Sequence, residues 1–280
     1  MTGNADLILD VKNLHLTIGG LQILKNVSFA MRENEFFAVI GPNGAGKTSL
    51  LNILSRLYKA TSGEVSFAGQ KLLNRRPSAL AGLGIARTFQ NLALFEHMDV
   101  LDNIVLGRHH LLKSGVASGS VWFGRARNEE REARAVCEPL IELLDLGRYL
   151  NKPVGDLPYG IKKRIEFGRA LAMRPKLILL DEPAAGMNDE ETDELSSWIV
   201  TAKKELSLSV LMIEHDMALV TRLADRALVL DFGEVICCED PSIAIADPRV
   251  VSAYLGDPVE NKPEDTSMAS LVPDSEATTR

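Results

Sequence analysis

The run FFAVIGPNGAGKTSLLNILSRL, residues 36–57, constrains the fold more tightly than any other part of the chain. Its first five residues are all apolar, the pattern of a strand buried on both faces. A helical pattern follows, with Leu50, Leu51, Leu54 and Leu57 on one face. Between them, Gly41-Pro42-Asn43-Gly44-Ala45-Gly46-Lys47-Thr48 has the spacing G-x-x-x-x-G-K-[ST]. The glycines let the backbone curl so that its N–H groups converge on phosphate oxygens. Lys47 reaches the β/γ oxygens, and the Thr48 hydroxyl takes Mg²⁺. Ser49 continues into a helix whose positive end faces the anion. Such a match arises by chance in roughly one in a hundred chains of this length. Here it sits in the required strand–loop–helix context, so a site for a nucleoside triphosphate is expected.

That unit requires an α/β fold, and the rest of the sequence agrees. Residues 7–40 alternate like antiparallel strands (LILDV, LHLTI, NVSFAM, FFAVI), with breaks at Gly19-Gly20 and Glu33-Asn34. From about Asn91 to Asp156 the pattern is helical, interrupted by KSGVASGS. A second strand-rich block follows: KLILLD, SVLMIEH and RALVLDFGEVICC, with helices between that imply a parallel sheet. The expected architecture is a P-loop NTPase core with an N-terminal antiparallel β part and a helical subdomain. One folded domain spans 6–257, with its core in about 6–90 and 158–257 and the helical part in about 91–157. The polar, Pro-containing stretch 258–280 reads as a disordered tail.

KLILLDEP is an apolar strand ending in two carboxylates. Beside a phosphate loop, Asp181 is expected to be a metal ligand, directly or through water, and Glu182 to accept a proton from the attacking water. His215 closes another apolar strand, expected next to the acidic one, where it reaches the γ-phosphate. Gln90, in ARTFQN, sits where the first strand block passes into the helical segment, positioned to touch the metal or the attacking water. The other histidines, His15, His97, His109 and His110, are read as structural.

Composition narrows the partners. A net charge of −7 disfavours nucleic acid, whose binding surfaces are basic. No apolar run approaches the 18 or so residues of a membrane span, and the N-terminal MTGNADLILD lacks a signal-peptide pattern. The chain is expected to be unsecreted, and to work at a membrane only if another protein holds it there. Cys137, Cys237 and Cys238 have neither disulfide nor metal-ligand spacing and read as small buried hydrophobes.

Taken in order, the phosphate loop 41–48, the Gln90 loop, the stretch LPYGI (157–161), the acidic strand 177–182 and the His215 loop resemble the nucleotide-binding subunit of an ABC transporter. The resemblance covers residues 7 to about 256. Within the family it is most similar to the ATP-binding subunits of branched-chain amino-acid importers, through RTFQN (87–91), the insert near GRHHLLKSG, LLDEPAAGMN (179–188), IEHDM (213–217) and AYLGD (253–257). It implies ATP and Mg²⁺ as cofactors, a second ATP-binding subunit, two transmembrane permeases, an external solute-binding protein reached indirectly, and a place on the cytoplasmic face of the inner membrane. It also implies that ATP is sandwiched between one subunit's phosphate loop and the other's signature helix, with Tyr159 and Gly160 facing the partner's nucleotide.

Several residues depart from that pattern. Pro158 stands where the signature has a serine, Ile18 where many relatives place an aromatic against adenine, and Asn188 where an Asp is common. The expected result is a working site of altered strength. Lys162 and Lys163 either add positive charge at the helix tip or lie on a solvated face. Trp122 and Phe123 either tuck onto the helical part or contact a permease or the membrane surface. Two other functions remain open at this stage: a soluble ABC-type ATPase outside transport, disfavoured by the single ATPase unit and the acidic charge, and a weakly active regulatory subunit, favoured by Pro158 and Ile18.

Overall fold

The Phe36–Ile40 run forms strand β3, and every residue in it is buried. The computed structural model describes residues 7–88, 93–111 and 125–255, without the side chains of 110–130. Gln90, Trp122, Phe123 and the stretch 258–280 lie outside the described residues.

β3 pairs in parallel with β8 (Ser209–Ile213) on one side and β9 (Arg226–Asp231) on the other. The sheet continues from β8 to β7 (Leu177–Asp181) and β6 (Ile85–Arg87), all parallel, while β10 (Glu234–Glu239) closes the far edge antiparallel to β9. Alternate residues of each central strand enter different cores. Phe36, Ala38 and Ile40, Ile178 and Leu180, and Val210 and Met212 face one cluster with the helices. Phe37 and Val39, Leu177 and Leu179, and Leu211 and Ile213 face a second cluster with the antiparallel sheet. Two buried faces explain why these strands are apolar throughout. Each large side chain so buried contributes about 1.5–3 kcal/mol.

The second sheet has the order β2-β1-β4-β5 and is antiparallel. Its strands are β1 (Leu7–Ile18), β2 (Leu21–Arg32), β4 (Ser62–Phe67) and β5 (Gln70–Lys71). The structure corrects the expected division of its first half. LILDV and LHLTI are one strand, irregular at Asn13, whose φ of 47° marks a bulge. FFAVI belongs to the parallel sheet. Gly19 and Gly20 do turn the chain, both in the left-handed region. Phe29 stacks on Phe37 with ring centroids 5.3 Å apart, joining the two sheets.

Helix α1 (Lys47–Leu54) follows the phosphate loop and buries Leu50, Leu51, Ile53 and Leu54. Leu57 does not share that face. Arg56 turns the chain with φ of 59°, leaving Leu57 54% exposed. The short α2 (Leu80–Leu83) leads into β6. The helical segment contains α3 (Val100–Val105) and α4 (Arg125–Leu143), both packed on α5 (Tyr159–Ala172). α6 (Asp189–Leu206) and α7 (Met217–Leu223) flank β8, and α8 (Pro241–Ala246) and α9 (Pro248–Leu255) close the described chain. The three cysteines are free thiols, Cys137 and Cys237 buried and Cys238 half-buried, and burial pushes each thiol above its ordinary pKa.

Candidate functional site

The loops that leave the C-terminal ends of β3, β8 and β7 carry the chemistry, as is usual at the edge of a parallel sheet. After β3, Gly41 adopts φ of 147°, and a Cβ there would lie 2.0 Å from the Leu230 carbonyl oxygen on β9. Gly46, with φ of 101°, precedes α1 at a point where a Cβ would meet Leu24 Cδ2 at 2.7 Å. Only glycine fits either position. The loop is also held from behind, where the Gly233 N–H donates to the Ala45 carbonyl at 3.1 Å.

Lys47 is buried, and its Nζ donates to the carbonyls of Gly41 at 2.6 Å and Pro42 at 3.0 Å. Burial pulls its pKa below the ordinary lysine value, and the nearby Glu182 carboxylate pulls the other way. Thr48 is exposed and Ser49 half-buried. The N–H groups of the first helical turn lack intrahelical acceptors, so they remain available to an anion.

Asp181 ends β7 opposite Ile213 of β8 and is 5% exposed. The Arg87 guanidinium donates to its Oδ2 at 2.8 Å. Glu182 follows with φ of 46°, a strained conformation for a residue with a side chain, and its N–H donates to the Ile213 carbonyl at 3.0 Å. His215 is reached at the end of β8, as expected from the strand order, and its side chain is 61% exposed. Asp181, Glu182 and His215 therefore sit at or just past the ends of the paired strands β7 and β8, and Lys47 opens α1 after the loop from β3, beside Glu182.

Glu214 was not anticipated. Its side chain is only 1% exposed and accepts N–H bonds from Ala184 at 3.1 Å and His215 at 3.0 Å. Burial raises its pKa, opposed by those hydrogen bonds. One buried carboxyl thus ties the turn after Glu182 to the backbone of His215. The available signal was an acid directly before His215 in an otherwise apolar strand. Glu214→Ala leaves two part-buried N–H groups without that acceptor and empties a buried site, so thermal or urea unfolding should show a loss of about 3 kcal/mol. A loss below about 1 kcal/mol would mean that water replaces the carboxyl.

The chain as a whole is similar to known proteins. The family model for ABC transporters matches residues 24–185. The chain belongs to the ABC transporter family. The branched-chain amino-acid transport ATP-binding protein BraF of Pseudomonas aeruginosa is 35% identical over 250 residues, covering 89% of this chain and 98% of BraF. The ADP conformation of the ATP-binding cassette MJ1267 superposes with a TM-score of 0.79 at 30% identity, covering 90% of this chain and 99% of that one. A dimeric post-hydrolysis state of the cassette MJ0796, bound to ADP and Pi, gives a TM-score of 0.69 at 25% identity, covering 83% of this chain and 98% of that one. The chain is an ATP-binding cassette of the ATPase family.

The signature-like stretch of this cassette starts α5. Pro158 is its N-cap, with φ of −55° and ψ of 154°, and provides no side-chain cap. Tyr159 touches the segment after Glu182, and Gly160 lies close to Glu191. The Tyr159 hydroxyl donates to the Ala185 carbonyl at 3.2 Å, and a Cβ on Gly160 would meet Glu191 Oε1 at 3.2 Å. Glu191 in turn forms a reciprocal capping box with Asn188, so Asn188 starts α6 as an Asp would. Of the two lysines, Lys162 is exposed and donates to the Gly155 carbonyl at 2.9 Å. Lys163 is buried, with its Nζ 5.7 Å from the centre of the Tyr159 ring, and does not lie on a solvated face. Ile18 is 48% exposed beside the Gly19-Gly20 turn. Pro158→Ser would restore a side-chain acceptor for the first turn of α5, a gain of about 1 kcal/mol readable by thermal unfolding. No gain would show that this turn is already satisfied.

Proposed function

We propose that this cassette is the ATP-hydrolysing subunit of an importer for branched-chain amino acids or a related small polar or hydrophobic solute. The observation that carries the reading is the placement of Asp181, Glu182 and His215 at the ends of the paired strands β7 and β8, with Lys47 opening α1 beside Glu182, in a chain 35% identical to BraF along nearly its whole length.

In this reading, the N–H groups of 41–49 and the Lys47 ammonium hold the triphosphate. ATP binding replaces the Gly41 and Pro42 carbonyls around Nζ with phosphate oxygens. The donors fit Mg²⁺ as well. No group of three or more His, Cys, Asp or Glu side chains that could hold a metal occurs among the described residues. A magnesium ion carried by phosphate needs only one or two protein oxygens. The Thr48 hydroxyl and Asp181 carboxylate would supply them, with Gln90 as a further contact. An Mg²⁺ ion held by these residues would neutralise negative charge on the triphosphate. Glu182, whose backbone strain fixes its direction, takes a proton from the attacking water. His215 steadies the γ-phosphoryl group, and the buried Glu214 holds the backbone that presents it.

The opposite half of each site comes from a second ATP-binding subunit. Tyr159, Gly160 and the positive end of α5 face that subunit's nucleotide. The Tyr159 hydrogen bond to Ala185 ties this tip to the segment after Glu182. The chain has one core, about 6–90 and 158–257, and a helical lobe, about 91–157. Between them lies a cleft of about 660 Å³, lined by Leu57, Leu80, Phe95, Leu106, Glu166 and Arg169 among others. No described helix is long and apolar enough to cross a membrane. A permease segment seated in this cleft would hold the cassette on the cytoplasmic face of the inner membrane, with the solute-binding protein outside and no nucleic acid involved.

Affinity purification of the full chain from membranes tests the assignment. Two permeases and a second cassette should accompany it, and deleting the gene should abolish ATP-driven uptake of leucine-like solutes. Recovery with nucleic acid and no permease would overturn it.

A further inference from the structure

Arg87 ends β6 and joins three elements through one guanidinium. Nη2 donates to Asp181 Oδ2 at 2.8 Å, and Nη1 donates to Asn52 Oδ1 at 2.8 Å and Ser55 Oγ at 2.6 Å. Asn52 and Ser55 lie at the end of the helix that begins at Lys47. The Arg87 and Asp181 side chains are 9% and 6% exposed, so water screens their interaction little. Arg87 and Ser55 also form part of the wall of the 660 Å³ cleft, with Leu57, Phe95 and Arg169. The cleft and the carboxylate proposed for the metal thus share one side chain.

We propose that Arg87 is a positioning residue that relays the state of the cleft to Asp181 by competing with the divalent ion for that carboxylate. This deepens the reading of the cleft as a docking surface and rests on it for the identity of what fills the cleft. A guanidinium bonded to the carboxylate offsets its negative charge and repels a second cation. Whatever packs into the cleft bears on the wall that Arg87 helps to form. Its fork is rigid and bonded on both sides, so displacement changes its hold on Asp181 rather than being absorbed by free rotation. An empty cleft keeps Arg87 on Asp181 and the metal site weak. An occupied one loosens that hold and favours the metal.

The test measures metal binding, not turnover. The full chain carrying Glu182→Gln is saturated with ATP and titrated with Mn²⁺, and free Mn²⁺ is read from its electron paramagnetic resonance signal. Arg87→Met removes the competing charge at similar volume and should tighten Mn²⁺ binding by about tenfold. Arg87→Lys, which keeps the charge, should stay within about threefold. ATP affinity without metal should not change. Ala81→Trp, projecting into the cleft from α2, should tighten Mn²⁺ binding by about threefold when Arg87 is present and not in the Arg87→Met chain. A purely structural Arg87 predicts weaker Mn²⁺ binding or none of this coupling, and either result overturns the proposal. If Arg87→Met does not fold, Ala81→Trp with Arg87 intact decides alone, and an unmoved Mn²⁺ affinity rejects the relay. Permeases that copurify with a chain whose Mn²⁺ affinity ignores both changes leave the docking reading standing and end this one. The coupling without any permease does the reverse.

Discussion

Glu182→Gln will leave ATP binding within about twofold of the wild type and slow hydrolysis by about 10²–10⁴-fold, the contribution of a general base. Glutamine has almost the same shape as glutamate, so the turn at 182–185 should persist. The Glu182 N–H to the Ile213 carbonyl and the Ala185 N–H to the Glu182 carbonyl are backbone bonds that the substitution does not touch. What is lost is the proton acceptor. The left-handed φ of 46° supports this role, because a strained residue beside Lys47 persists only where the surrounding structure fixes it. Phosphate release by the assembled complex and equilibrium binding of ATP measure the two halves. Turnover within about threefold of the wild type would remove Glu182 from the role of base. The same variant should accumulate the ATP-bound pair of subunits, which size-exclusion chromatography detects.

Features set by local sequence or by repeated burial were legible beforehand. The central strands read as strands because both faces are buried, which leaves no polar alternation to mislead. The phosphate loop stands out in the sequence because its glycines, lysine and threonine lie within eight residues, but the close approach of Leu230 and Leu24 that demands glycine at 41 and 46 comes from distant strands. The site's cross-links did not read. Arg87 meets Asp181 across 94 positions, and Glu214 meets Ala184 across 30. Nothing in the sequence next to either residue names its partner. At the start of α5 the charges alone left two readings open for Lys162 and Lys163. α5 buries Lys163, Arg164 and Glu166 together, and Arg164 stacks on the Trp198 ring at 3.4 Å, so a charged stretch that resembles a solvated face is packed. β1 was read as two strands because a bulge at Asn13 interrupts alternation without ending the pairing.

Lys47→Met should weaken ATP binding by more than about 100-fold, because the charge-assisted contact of a buried ammonium to the β/γ oxygens is lost. The free chain should respond differently. Its buried Lys47 has a pKa below the ordinary 10.5, with desolvation the main cause, so the folded chain holds that proton less tightly than the unfolded one. The ammonium therefore opposes folding at neutral pH. Wild-type stability rises with pH from the depressed folded value up to about 10.5, where the unfolded lysine also loses its proton. Methionine removes this dependence, so the stability of Lys47→Met relative to wild type should fall as pH climbs through that window. The lost bonds to the Gly41 and Pro42 carbonyls shift the whole difference by a constant and leave its slope unchanged. ATP affinity of the wild type should drop over the same range, since only the protonated amine attracts phosphate. Urea unfolding and ATP titrations between neutral pH and pH 10 measure both. A wild-type affinity that stays flat to pH 10 would show that the backbone N–H groups, rather than Lys47, hold the terminal phosphates.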